Sequence, residues 1–222
     1  MKRLLLALAL LFIPAVALAA EGSSDRPHWS LELKGGVFFP NLSRWSDFYG
    51  SSFTSEFGGA LAYKVRREIE VGIEGTYVSA DGNGQAPLHA QVAGGGQVAA
   101  GQVSYELFPL NVFVLARGVF SEDQPLVPYL GGGWTRMFYR EEVKGQGKVQ
   151  GSTNGFHVRG GIQFLLDRID ADAARNLDRD YHVRHTYFFT EAKYTRATAD
   201  TNPSGSVNLG GVSYLGGLLF EF

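Results

Sequence analysis

The chain has no cysteine, few charged residues for its length and, beyond its first twenty residues, no apolar run long enough for a membrane helix. Without cysteine there is no disulfide framework, thiolate metal site, thiol nucleophile or lipidated cysteine anchor. A net charge of −2 is too mild to draw in a nucleic acid, so no nucleic-acid partner is expected. No heptad repeat or long helical stripe appears, which excludes a helix bundle. What the chain does have is glycine and aromatic residues, and the 29 glycines are interleaved with Tyr, Phe, Val and Leu rather than gathered in tracts. That interleaving suits strands that curve and pack closely, not a disordered linker.

The opening segment reads as an export leader. Lys2 and Arg3 precede an apolar stretch from Leu4 to Leu18, and Ala17-Leu18-Ala19-Ala20 ends it in small residues. The stretch contains Pro14 and falls short of a spanning helix. Residues 1–20 are therefore expected to be a signal peptide cleaved near Ala20, and residues 21–222 a single domain.

Within that domain the dominant pattern has period two. Trp29, Leu31, Leu33, Gly35, Val37 and Phe39 alternate with Ser30, Glu32, Lys34 and Gly36. Phe57 to Val65 and Ile69 to Tyr77 repeat the alternation and are joined by the tight turn Arg66-Arg67-Glu68. Five more strands are expected at Gln102–Arg117, Val127–Arg140, Gly155–Leu166, His185–Arg196 and Val207–Phe222, with Pro109 breaking the register of the first. Long loops fall at Pro40–Ser55, Ser79–Gly101, Glu141–Asn154 and Ala197–Ser206, and shorter turns at Arg66–Glu68 and Gly118–Leu126. Asp167–Val183 is long for a turn, and Ala171 to Leu177 could coil into a helical turn or two. About eight strands of bilayer-spanning length predict an all-β fold: a closed, antiparallel, up-and-down transmembrane β-barrel.

Alternation alone also fits a soluble barrel turned the other way out. Three features favour the membrane. First, aromatics end the apolar face at Trp29, Phe39, Phe57, Tyr63, Tyr77, Tyr129, Tyr214 and Phe222, although aromatics are also good strand formers. Second, the opposite face carries Glu32, Lys34, Glu56, Lys64, Glu70, Glu74, Arg136, Arg140, Arg159, Glu191 and Lys193. Five acids and six bases can pair inside a narrow lumen, where an unpaired ion is costly. Third, Gly217-Leu218-Leu219-Phe220-Glu221-Phe222 ends the chain on an in-phase strand.

That last segment resembles the C-terminal signal read by the outer-membrane barrel assembly machinery, with Gly217, Leu218, Phe220 and Phe222 as its elements. Val127-Pro128-Tyr129-Leu130-Gly131-Gly132-Gly133 resembles a strand start found in small OmpA/OmpW-like outer-membrane β-barrels. The resemblance implies a location in the Gram-negative outer membrane, in contact with outer-membrane lipid and lipopolysaccharide. It also implies a small apolar pocket near the outer loops through which hydrophobic molecules pass laterally.

Catalytic chemistry is not indicated. None of the five histidines sits in the His-x-Ser-Asn arrangement of the outer-membrane lipid deacylases. His182 and His185 lack a third ligand at convincing spacing, so no metal site and no cofactor are expected. Gly94-Gly95-Gly96 lacks the following Lys-Ser/Thr of a phosphate loop, and Asp167, Asp170 and Asp172 lack the glycine and terminal Glu of a calcium loop. The expected function is non-enzymatic: a structural barrel, or one that binds or passes small hydrophobic molecules. The alternative is a soluble periplasmic or secreted barrel holding a hydrophobic ligand.

Overall fold

The computed structural model describes residues 27–42, 45–83, 102–121, 124–144, 147–201 and 205–222. The expected leader and most of the loop from Ser79 to Gly101 lie outside these residues. Strands β1 (Trp29–Pro40), β2 (Thr54–Arg66), β3 (Ile69–Asn83), β4 (Gln102–Arg117), β5 (Leu126–Val143), β6 (Gly147–Leu165) and β7 (His185–Thr201) follow one another antiparallel. The last stretch is divided into β8 (Gly205–Asn208) and β9 (Gly211–Glu221). Pairing of β6 with β7, of β7 with β9 and of β9 with β1 closes an eight-stranded barrel, with β8 a short extra strand on the end of β7.

Each strand turns its side chains alternately in and out. Leu33, Phe57, Ile73, Val112, Val114, Leu130, Trp134, Phe156, Val158, Ile162, Phe188, Tyr214 and Leu218 lie on the outside, exposed. The matching even-phase set of β1 to β3 and the odd-phase set of β4 to β7 and β9 are buried inside. A closed ladder satisfies the wall's backbone groups, and a continuous apolar exterior needs a solvent other than water. The wall is that of a membrane barrel.

Several boundaries differ from the sequence reading. Pro109 does not break register: β4 pairs with β5 straight through Pro109↔Met137. Its missing N–H affects the β3 side alone, where the same register resumes from Gly75↔Leu110 to Val78↔Leu107. The expected loop Glu141–Asn154 is mostly sheet, since β5 and β6 continue as a hairpin from Gly155 up to Val143↔Gly147. The final strand is interrupted at Leu209-Gly210, where the Asn208 side chain accepts hydrogen bonds from the Ala197 and Gly210 amides. Two helices go beyond what the sequence pattern predicts. Helix α1 (Trp45–Tyr49) lies in the first loop. Helix α2 (Ala171–Tyr181) extends the suspected turn through Tyr181, with Asp170 capping its start and His182, at φ 58°, ending it left-handed.

Closure depends on the seam between the first and last strands, which pairs Ser30↔Glu221 through Pro40↔Gly211. Gly217 faces inward there, and any Cβ would run into the Leu33 carbonyl oxygen. Gly216 faces outward, and a Cβ on it would find its first neighbour at 3.5 Å. Gly217→Val should therefore strain the seam by at least the roughly 1–3 kcal/mol of an overpacked core, and Gly216→Ala should not. On gels of unheated samples, the fast-migrating closed form should drop markedly for Gly217→Val and persist for Gly216→Ala.

Candidate functional site: the barrel interior

Three layers of inward side chains concern the site, and a buried apolar band of Ala60, Ala62, Phe113, Leu115, Phe189 and Leu219 lies between the middle one and the turn end. The middle one is ionic and draws on all eight strands of the closed barrel. Glu74 of β3 is its hub: it accepts from Lys34 Nζ at 2.6 Å, Arg159 Nη1 at 2.8 Å, Lys193 Nζ at 2.9 Å and Asn111 Nδ2 at 2.7 Å. The Arg159 guanidinium also grips both oxygens of Glu32, at 3.0 and 3.3 Å, and lies 4.1 Å from the Phe113 ring centroid. Lys34 bridges to Glu32 at 2.8 Å and Glu191 at 3.3 Å, and Lys193 reaches Glu56 at 2.8 Å. Four carboxylates thus meet three cations. The remaining acceptor capacity is met by neutral donors: Tyr129 to Glu191 at 3.1 Å, Ser213 to Glu56, and Asn111 to Glu74. Beyond Asn111 the chain of bonds runs through Thr135 to His157 Nδ1.

The second layer closes the end of the barrel where the shorter turns and the chain's last strand lie. There Arg117 donates to Glu70 at 2.9 Å, Glu221 at 2.6 Å and Gln163 at 2.6 Å, while Lys64 pairs with Glu221 and Ser30 with Glu70. Below this floor a cavity of about 450 Å³ opens toward that end.

The third layer, toward the loops, is apolar. Phe38, Val78, Tyr105, Leu107, Met137, Ala197 and Leu209 line it, and Leu42 and Trp45 of the first loop fill it. Trp45 stacks on Tyr49 with centroids 4.0 Å apart and meets Tyr105 edge-on at 5.2 Å. Tyr49 donates to Glu141 at 3.0 Å. Burial, and after it the Glu141 carboxylate, push the Tyr49 phenol well above its ordinary range.

Of the charged residues singled out in the sequence, the structure gathers Glu32, Lys34, Glu56, Glu74, Arg159, Glu191 and Lys193 in the middle layer and Lys64 and Glu70 in the second. Arg136 and Arg140 are not among them, which corrects the expectation that they face the lumen. Both point outward: Arg136 bonds Asn154 and Ser152, and Arg140 pairs with Glu142 in the open. The cause lies in the phase of β5. Gly131-Gly132-Gly133 offers no side chain to mark a face, and Tyr129, expected outside, turns in to Glu191. Trp134 and Phe138 then take the outer face, and the arginines share their parity. Arg117, Glu221, Tyr129, Asn111 and Ser213 were missed. For Arg117 and Glu221 the signal was present, since each alternates with outward apolar neighbours. Of the assembly-signal residues, Leu218 is exposed on the outer wall, on the same outward parity as Phe220 and Phe222, and Gly217 faces in. Among the described residues no group of three or more His, Asp or Glu side chains is arranged to hold a metal ion.

No family model and no curated protein sequence matches this chain. Solved structures do. The N-terminal β-barrel domain of Pseudomonas aeruginosa OprF superposes with a TM-score of 0.51 at 9% identity, covering 89% of this chain and 98% of that one. Neisserial surface protein A gives 0.55 at 11% identity, over 87% and 96%. The outer membrane protein OprG from Pseudomonas aeruginosa gives 0.55 at 10% identity, over 89% and 97%. The fold is that of the small outer-membrane β-barrels, shared with almost no sequence.

Two outcomes follow from this geometry. Arg159→Ala leaves Glu32 with Lys34 alone and takes one of four donors from Glu74, and breaking such a buried pair costs about 3–5 kcal/mol. Arg140→Ala, at a half-exposed pair, should cost under about 1 kcal/mol. Urea unfolding of the barrel in lipid vesicles, followed by tryptophan fluorescence, should separate the two. For Tyr49 the neutral phenol is the form held by the fold. Its contribution is complete below the free tyrosine pKa of about 10 and falls away as pH rises through the higher folded value. An alkaline titration should show release of α1 as a change in tryptophan emission above about pH 10. The part of that change due to Tyr49 should vanish in Tyr49→Phe.

Proposed function

We propose that the protein is a non-enzymatic barrel of the Gram-negative outer membrane that admits small apolar molecules into its loop-end chamber. In this reading the leader is removed near Ala20 and the C-terminal segment with Gly217, Leu218, Phe220 and Phe222 is handed to the barrel assembly machinery. The shorter turns then face the periplasm, the loops face outside, and the apolar wall meets lipid and lipopolysaccharide.

The observation that carries the reading is the occupant of the chamber. The interior of a small barrel is filled by its own side chains, yet here the apolar layer is completed by a loop segment rather than by the wall. Trp45 is 4% exposed, and its indole Nε1 is buried without a hydrogen-bond partner. A buried donor left unpaired costs about 1–3 kcal/mol, so the ring is held by packing against an energetic penalty. A flat apolar ligand would fill the same space among Phe38, Tyr105 and Met137 without that penalty. Below it the ionic layer blocks the axis, so passage along the barrel axis is closed and exit has to be sideways or back toward the loops. The charged layers supply rigidity to the site rather than a conduit.

Wild-type barrel and Trp45→Ala in phosphatidylcholine nanodiscs should be titrated with the apolar fluorophore N-phenylnaphthylamine, with empty nanodiscs subtracted. Removing the internal competitor should tighten saturable binding severalfold, because the open state no longer has to be won from the plug. If neither protein binds the dye beyond the empty discs, the chamber is a packed core and the barrel is structural.

A further inference from the structure

The cavity at the turn end has no role in the reading above. Its walls hold Lys64, Arg66, Arg67, Arg117 and Arg184 against the carboxylates of Asp178 and Glu221. The two inner cations are matched, because Lys64 and Arg117 share Glu221 and Arg117 also holds Glu70. At the rim, three arginines face one carboxylate, Asp178, which stands 3.5 Å from Arg184. A like-charged group of this kind is held together against its own repulsion and gains when an anion joins it.

Arg117 is 5% exposed and its Nε is buried without a partner, as is Nη2 of Arg67. Both residues line the cavity. Those atoms are sealed from the cavity itself, so what suits it to forked bonds with an oxyanion is the excess of arginines over carboxylates among its described lining residues. The volume of about 450 Å³ falls in the range of small-ligand sites and exceeds what one phosphate needs. Asp178 of α2 stands on the lining, so the helix that makes this turn unusually long forms one wall.

We propose that this vestibule binds a small soluble oxyanion of the phosphate class carrying two or more negative charges, with Arg66, Arg67 and Arg184 as its donors. Arg117 couples the site to the barrel wall through Glu70, Glu221 and Gln163. Helix α2 closes one side of it.

Pyrophosphate is the probe. It should be titrated calorimetrically into the barrel in decyl maltoside, which carries no phosphate, at constant ionic strength so that general screening does not vary. The expected result is saturable one-to-one binding, weakened at least tenfold in the double variant Arg67→Gln/Arg184→Gln. It should be unchanged in Arg136→Gln/Arg140→Gln, which removes two exposed arginines from the other end. Both variants must keep the fast-migrating unheated form, which establishes that loss of binding is not loss of fold. Absence of saturable binding to the wild type, or equal loss in the two double variants, would overturn the proposal. Repeating the titration in phosphatidylcholine and phosphatidylglycerol nanodiscs identifies the natural source of the anion. Competition in phosphatidylglycerol alone overturns a soluble ligand in favour of a lipid headgroup, and equal affinity in both supports the soluble one.

Discussion

The carboxylate of Glu74 fixes this barrel more than any other group. It accepts four hydrogen bonds, from residues on β1, β4, β6 and β7, at a depth where no solvent reaches it. Such a group is tolerable only if every partner arrives, and each partner arrives only if its strand sits in the right register. A slip of one residue on β1 would replace Lys34 by Leu33 or Gly35 in the lumen and push the ammonium into the apolar wall. Register, strand count and closure are thus all specified by one layer of ions. The apolar exterior specifies only that there is an inside.

Along the axis the interior changes solvent character three times, with the apolar band around Phe113 and Phe189 between the two charged layers. The loop-end chamber resembles the core of a soluble protein, the middle is a dense salt, and the turn end is a wet, basic basin. These layers are isolated from one another by packing. Arg159 bounds the middle layer on its turn-end side, with its guanidinium against the Phe113 ring of the apolar band and its charge spent on Glu32 and Glu74. Arg117 and Tyr187 separate the lower two in the same manner, ring centroid to guanidinium carbon at 5.4 Å. An arginine lying by an aromatic face is flat, always charged and less strongly hydrated than an ammonium, which suits it to a partition that must pair ions on one side and pack on the other.

Much of this was legible in the sequence because a strand writes its environment in alternate letters. Glu32 and Lys34 between Leu31, Leu33 and Gly35 leave little choice of face, and the same holds for Glu74 between Ile73 and Gly75 and for Arg159 between Val158 and Gly160. The pattern is silent where letters are missing or alternation does not apply. Three consecutive glycines on β5 erased the phase, and Arg136 and Arg140 were assigned to the wrong side. Glu221 is hidden in the sequence because the apolar phase of Leu218, Phe220 and Phe222 on either side of it dominates the pattern. Helix α1 has no alternating pattern to show: its two informative residues, Trp45 and Tyr49, are one helical turn apart in a segment that reads as a polar loop. Nothing local to the loop says that it folds inward, since what captures it is a chamber assembled from six distant strands.

The seam that joins β1 to β9 has a consequence for the order of events as the barrel is made. Lys34 waits for Glu191, Glu56 for Lys193 and Ser213, and Lys64 for Glu221, separations of up to 157 residues for the bonds to Glu56 and Glu191. A sheet of the first six strands would carry Glu56 without Lys193 and Ser213 and Lys64 without Glu221, and an open sheet has no lumen in which to hide them. Such an intermediate cannot rest in hydrocarbon. The chain therefore has to be kept near water until its C-terminal strand is available and then enter the bilayer as a nearly closed object. Insertion becomes a single late step, gated by the strand that closes the barrel.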